Sequence, residues 1–142
     1  QMVEFFLILV AAGAVVSVNA FWRLLFGTLI MIIGGYLGEA GYISVLLGFI
    51  IGMIGWAIII WEIFGGEASK ASSTKKSVQS AFNAMRIIVL VGWAIYPLGY
   101  ILGLMMGSVD ASTLNGVYNI ADFINKILFG LIIWNAAVKD SA

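Results

Sequence analysis

Val117-Tyr-Asn-Ile-Ala-Asp122-Phe-Ile-Asn-Lys126-Ile-Leu-Phe-Gly-Leu-Ile-Ile-Trp-Asn-Ala-Ala-Val138 is an apolar run with an acid and an amine set inside it. As a helix rising about 1.5 Å per residue, it is long enough to cross a hydrocarbon core. Lys126 then lies about 13 Å from the nearer end, too far for its stem to reach water. The run therefore reads as a membrane helix whose middle carries charges that lipid excludes.

The rest of the chain agrees. Of 142 residues, 63% are hydrophobic and only 10% charged. The mean hydropathy of +1.10 excludes an ordinary soluble domain. Cysteine and histidine are both absent, which removes disulfides, thiol catalysis, the commonest metal ligand and the commonest general base. No metal site is expected, and no nucleophile–base pair converges, so no enzyme is expected either. A formal net charge of zero points away from nucleic acid. The opening Gln1-Met2-Val3-Glu4 has neither a basic flank nor a small-residue cleavage site, and reads as starting inside a helix of a longer protein.

Four further apolar segments precede the last one: residues 2–18, 21–37, 42–64 and 81–106. At least four of the five are long enough to span. The small polar residues of 67–77 read as a loop, and 107–115 as a connector. No period of 20–50 residues repeats. The expectation is an all-α membrane protein: one transmembrane helix-bundle domain over residues 1–142, with five helices, incomplete at its N-terminus. Alternating the spans puts Arg23, Lys70, Lys75, Lys76, Arg86 and Lys139 on one side of the membrane, and only Glu39 and Asp110 on the other. The positive-inside rule makes the first side, with the C-terminus, cytoplasmic. Lys126 is the one cation left over.

Asp122 and Lys126 are four residues apart, so they share a helix face with the acid on the outward side. Such a pair can simply fasten two helices. It can also mark an ion path or a bound cofactor, because intramembrane ionisable residues are costly. Burial lowers a lysine's proton affinity, and a neutral amine condenses with an aldehyde to a Schiff base, for which a neighbouring carboxylate is a counterion. Segment four offers a wall for a long apolar ligand. In Trp93-Ala-Ile-Tyr96-Pro97-Leu-Gly-Tyr100 the aromatics share one helical face around a proline. Pro97 is expected to leave the Trp93 carbonyl without its helical donor and to bend the segment. A core kink with an interfacial aromatic belt is the plainer alternative.

Trp93-Ala-Ile-Tyr96-Pro97-Leu-Gly-Tyr100 followed by Asp122-Phe-Ile-Asn-Lys126 resembles helices six and seven of the microbial rhodopsins, and 118–139 looks like the proteorhodopsin branch. Glu4-Phe-Phe-Leu-Ile-Leu is similar to the end of the family's third helix. Gly35-Tyr-Leu-Gly-Glu39-Ala-Gly41 is similar to its fourth, and Ser77-Val-Gln-Ser-Ala-Phe-Asn83 to the entry of its sixth. The resemblance covers essentially the whole chain and implies helices three to seven of a seven-helix protein. It implies that Lys126 carries all-trans retinal as a Schiff base and that Asp122 is the second carboxylate of the counterion. Trp93, Tyr96 and Pro97 would line the chromophore, with Trp56 and Met31 as further neighbours. Glu4 matches the acid that returns a proton from the cytoplasmic side. Gln1 falls where the family tunes its colour, and glutamine there resembles the blue-absorbing members.

The apolar neighbours Met2, Val3, Phe5 and Phe6 suit a proton donor at Glu4, which must hold its proton at neutral pH. If Gln1 began a span at the outer surface, Glu4 would instead be an interfacial acid. In the family the primary acceptor is an aspartate about three helical turns before the donor, accompanied by an arginine. Both positions precede Gln1, so the chain is read as part of a complete protein.

The resemblance implies a light-driven outward proton pump in a bacterial inner membrane, with the bilayer, protons and further copies of the chain as partners. A sensory photoreceptor signalling to a partner would use the same pigment. A retinal-free transporter would use Asp122 and Lys126 as a charge-compensated site. Glu39 reads as a solvated helix end or a face toward neighbours. Glu62 reads as interfacial, and Gly34, Gly35, Gly38 and Gly41 as sites of close helix approach.

Overall fold

Residues 1–73 and 76–140 are described by the computed structural model, with the backbone alone for Ser77 and Asp140. Lys75, one of the cations in the charge-bias argument, lies outside the described residues. All regular structure among the described residues is helical: α1 (Met2–Ala11), α2 (Val18–Glu39), α3 (Val45–Phe64), α4 (Glu67–Ser72), α5 (Lys76–Ile87), α6 (Ile95–Tyr100) and α7 (Ala111–Asp140). Two π-helical turns, Ile88–Gly92 and Ile101–Met105, flank α6 and join it to α5 in one long rod. Four stretches are long and apolar enough to cross a membrane: Val18–Glu39, Val45–Ser72, Val78–Met105 and Ala111–Lys139.

The expected helix order holds, and several boundaries move. The first segment is helical only to Ala11, because Gly13 turns the chain at φ +71°. The stretch expected as a loop at 67–77 begins with a helix, α4. Its start is held by Glu62, whose Oε1 accepts the Ala68 N–H at 2.8 Å. A side-chain acceptor from the preceding helix thus replaces a local cap. The last helix starts at Ala111, within the expected connector. Asp110 caps it, accepting from Thr113 N at 3.0 Å and from Thr113 Oγ1 at 2.6 Å.

The helices α2 and α3 form an antiparallel hairpin in contact along most of its length. Small residues set their separation. A Cβ at Gly34 would lie 2.5 Å from the Ile51 side chain and 3.1 Å from Gly52 N, and one at Gly48 would lie 2.7 Å from Gly38 Cα. Without a hydrophobic drive between lipid-embedded helices, such backbone approach supplies the packing. Of the four glycines singled out, Gly34 and Gly38 serve this contact. Gly41 makes the turn at φ +77°, and Gly35 faces open space.

The core lies where α1 meets α2, α3, α5 and α7. Phe5 sits edge-on to Phe82 at 5.0 Å and to Phe129 at 5.4 Å, with Leu9, Leu24, Ile59, Ile63 and Met85 buried around them. Large apolar side chains such as Val91, Ile120, Phe123 and Trp134 point outward, as expected of helices with lipid as solvent.

The end of the bundle carrying the basic residues is tied by an ionic cluster. Glu62, expected at an interface, is instead fully buried and accepts from Arg23 Nε at 2.5 Å. Glu67 accepts from Arg23 Nη2 at 3.1 Å and from the backbone and hydroxyl of Ser17 at 2.6 and 2.7 Å. The connection after α1, the start of α2 and the α3–α4 corner therefore meet, which is the grouping the alternation of spans requires.

Candidate functional site

The middle of α7 presents Asp122 and Lys126 one turn apart on one face, and their side chains join at 2.5 Å. The second carboxylate oxygen of Asp122 accepts a short hydrogen bond from the Tyr96 hydroxyl on α6. A charged acceptor held by two donors, one of them ionic, has a fixed orientation toward Lys126 Nζ. Tyr118, one turn before Asp122 on the same face, donates its hydroxyl to the Tyr96 carbonyl at 3.0 Å, and the two rings lie 5.4 Å apart.

The α6 side of the site is shaped by its irregular backbone. Trp93 N bonds Ile88 O, five residues back, and Tyr96 N bonds Trp93 O, three residues back. The Trp93 carbonyl expected to lack a donor because of Pro97 therefore has one. The shift moves the deficit to carbonyls whose usual donors are now engaged elsewhere, and side chains from other helices fill it. Val89 O accepts Trp56 Nε1 at 3.2 Å, and Gly92 O accepts Asn125 Nδ2 at 3.1 Å. Gly92 is required here because a Cβ would collide with the Asn125 amide. The first π-helical turn thus ties the rod to α3 and α7 through its own carbonyls.

Between α2 and α3 on one side and α6 and α7 on the other runs an elongated cavity of about 600 Å³. Its lining brings together Gln1, Met31, Trp56, Trp93, Tyr96, Pro97, Asp122 and Lys126, every site residue expected from sequence except Glu4. Glu4 stands outside it, half exposed on α1. Gln1 reaches the Asn125 carbonyl at 3.4 Å, so α1 begins at the level of Lys126. Glu4 then lies about 4.5 Å further toward the end that carries Arg23 and Glu67.

Tyr100, the third ring of the expected wall, turns away from the cavity. It donates to Val45 O at 3.1 Å beside the Gly38–Gly48 crossing. Glu39, read as a solvated end or a face toward neighbours, is exposed and also lines the cavity at the end near the α2–α3 turn. Asn125 and Tyr118 were missed. Their signals were present, in an amide inside an apolar run and a phenol one helical turn before Asp122.

The arrangement supplies an amine, a paired carboxylate and a long aromatic slot between helices, a volume within the range of about 300–1,000 Å³ usual for small-molecule sites. A family model described as bacteriorhodopsin-like protein matches residues 1–140. The chain is 55% identical to the blue-light absorbing proteorhodopsin of Gamma-proteobacterium Hot 75m4, over 100% of this chain and 57% of that protein. It is 51% identical to the green-light absorbing proteorhodopsin of Gamma-proteobacterium EBAC31A08, over 98% of this chain and 56% of that protein. The solved structure of blue light-absorbing proteorhodopsin from Med12 superposes with a TM-score of 0.79 at 48% identity, covering 99% of this chain and 61% of that one. Exiguobacterium sibiricum rhodopsin superposes with a TM-score of 0.81 at 33% identity, covering 95% and 63%. The chain thus spans somewhat over half the length of these two curated relatives. It belongs to the bacteriorhodopsin-like family, the microbial rhodopsins.

Proposed function

We propose that this chain forms the chromophore-binding part of a light-driven outward proton pump, with all-trans retinal attached through Lys126 Nζ. The observation that carries the reading is the Lys126–Asp122 pair opening into the aromatic cavity. Retinal, when bound, supplies an aldehyde carbon for the amine and a light-driven change of shape.

The remaining chemistry belongs to the chain's own residues. Asp122, held by Tyr96, keeps a carboxylate facing Nζ on the side toward the α2–α3 turn. Trp93 and Pro97 line the slot beside Nζ. Glu4, on the opposite side of Lys126, is the acid that returns a proton toward Nζ from the end rich in basic residues. An acceptor and a donor on opposite sides of one nitrogen give a direction to proton movement. In a bacterial cell membrane, with the basic end and C-terminus cytoplasmic, that direction is outward. Further copies of the chain are the expected neighbours in the bilayer.

The test is external pH during illumination of cells carrying the full-length protein, with and without a protonophore. Light-induced acidification that the protonophore abolishes is expected. A visible band without acidification overturns pumping and leaves a sensory pigment. No band after all-trans retinal is added overturns the pigment itself.

A further inference from the structure

At the basic end of the bundle, well away from the aromatic slot, α5 and α7 enclose a second cavity of about 340 Å³. Four polar side chains line it: Lys76 and Ser80 one turn apart on α5, and Asn135 and Lys139 one turn apart on α7. Its apolar lining includes Ala84 and Ile132. Two short sequence intervals of four residues thus aim two ammonium groups, a hydroxyl and an amide at one hollow.

None of these four side chains has a part in the proposed pump. Among the described residues, neither lysine takes part in the ion pairs of the chain, which involve Arg23, Lys126 and the amino group of Gln1. Lys76 opens the 12-residue helix α5, so the positive end of that helix's dipole adds to its charge. Lys139 lies in the last turn of α7 and offsets the negative end there. The two lysines are the only charged residues lining the hollow among the described residues, at the depth where the candidate spans end. Basic pockets between transmembrane helices at this depth take phosphate-bearing headgroups.

We propose that Lys76, Ser80, Asn135 and Lys139 form a binding site for a phosphate group, in which two ammonium groups balance the anion's charge and the hydroxyl and amide donate to its oxygens. The small lining residues leave room at the mouth for the rest of the molecule carrying the phosphate.

Native mass spectrometry of the purified full-length protein tests this, with phosphatidylglycerol and the phosphate-free diacylglycerol titrated separately and inorganic phosphate added in a further arm. Phosphatidylglycerol is expected to bind at lower concentration than diacylglycerol. Loss of Lys76 and Lys139 to Gln is expected to weaken it roughly fivefold per lysine, about 25-fold together. Displacement by millimolar inorganic phosphate would assign the site to free phosphate, and failure to displace would assign it to the headgroup. Both outcomes keep the phosphate site. Ser80→Ala with Asn135→Ala, which leaves both charges, is expected to weaken binding less than the lysine pair does. Equal binding of phosphatidylglycerol and the phosphate-free diacylglycerol with no effect of phosphate, or an unchanged affinity in the double lysine variant, would overturn the proposal.

Discussion

Arg23 and Lys126 are both cations within apolar helices, and each sits 2.5 Å from a carboxylate, yet the two pairs do opposite work. The partners of Arg23 come from 39 and 44 residues away, and Glu62 is wholly buried with a backbone donor as well. The partner of Lys126 comes from its own helix, and the Lys126 side chain stays 60% exposed beside a cavity. A bridge between elements can be broken only by moving them, so it holds the tertiary structure. A bridge within one helix holds no other element through its amine, and only the carboxylate is tied across to α6, by Tyr96.

That contrast can be broken most sharply at Lys126. Lys126→Ala should abolish the visible band formed with all-trans retinal, with little change in helix content by circular dichroism. A retained band would mean that the amine is not the attachment point. Arg23→Leu should do the reverse. It strands Glu62 in the core at a cost of roughly 3–5 kcal/mol, seen as a lower unfolding midpoint, while protein that folds still takes up retinal. Equal stability in that variant would reduce the cluster to a surface feature.

Asn125→Leu sharpens the comparison, because this residue is structural yet lies next to Lys126. Removing its amide leaves Gly92 O without that donor, a loss of about 1–3 kcal/mol. The unfolding midpoint should fall while the band is retained.

The smallest effect is expected at Asp110, outside the spans. Its hydrogen bonds from the Thr113 hydroxyl and amide hold its carboxyl below the usual carboxylate range. A group depressed on folding stabilises above its unfolded value, and that contribution fades as pH falls through the lower folded value. Stability measured from about pH 5 downward should therefore decline less steeply in Asp110→Asn, which keeps a cap without the charge.

Much of the site was legible because membrane helices make sequence spacing nearly equivalent to geometry. Asp122 and Lys126 had to share a face, and Trp93, Tyr96 and Pro97 had to lie on one wall. Tyr100 obeyed the same spacing but left the wall, because the π-helical turns and the close Gly38–Gly48 crossing gave its hydroxyl a carbonyl on α3. Glu62 was misread for a related reason. Hydropathy assigns a carboxylate near a span's end to the interface, and only contact with Arg23 and the start of α4 makes its burial tolerable.

The order of residues alone settles that the chain is a bundle of membrane helices, because each apolar run must satisfy its own backbone in lipid and only a helix does so locally. It also settles that Asp122 and Lys126 meet, since one helical turn is a local property. Packing decided which carbonyls around Pro97 found donors, that Glu62 is buried, and that Lys76 and Lys139 face one hollow. Each of these depends on side chains from helices distant in sequence, whose approach is set by where glycines let backbones touch.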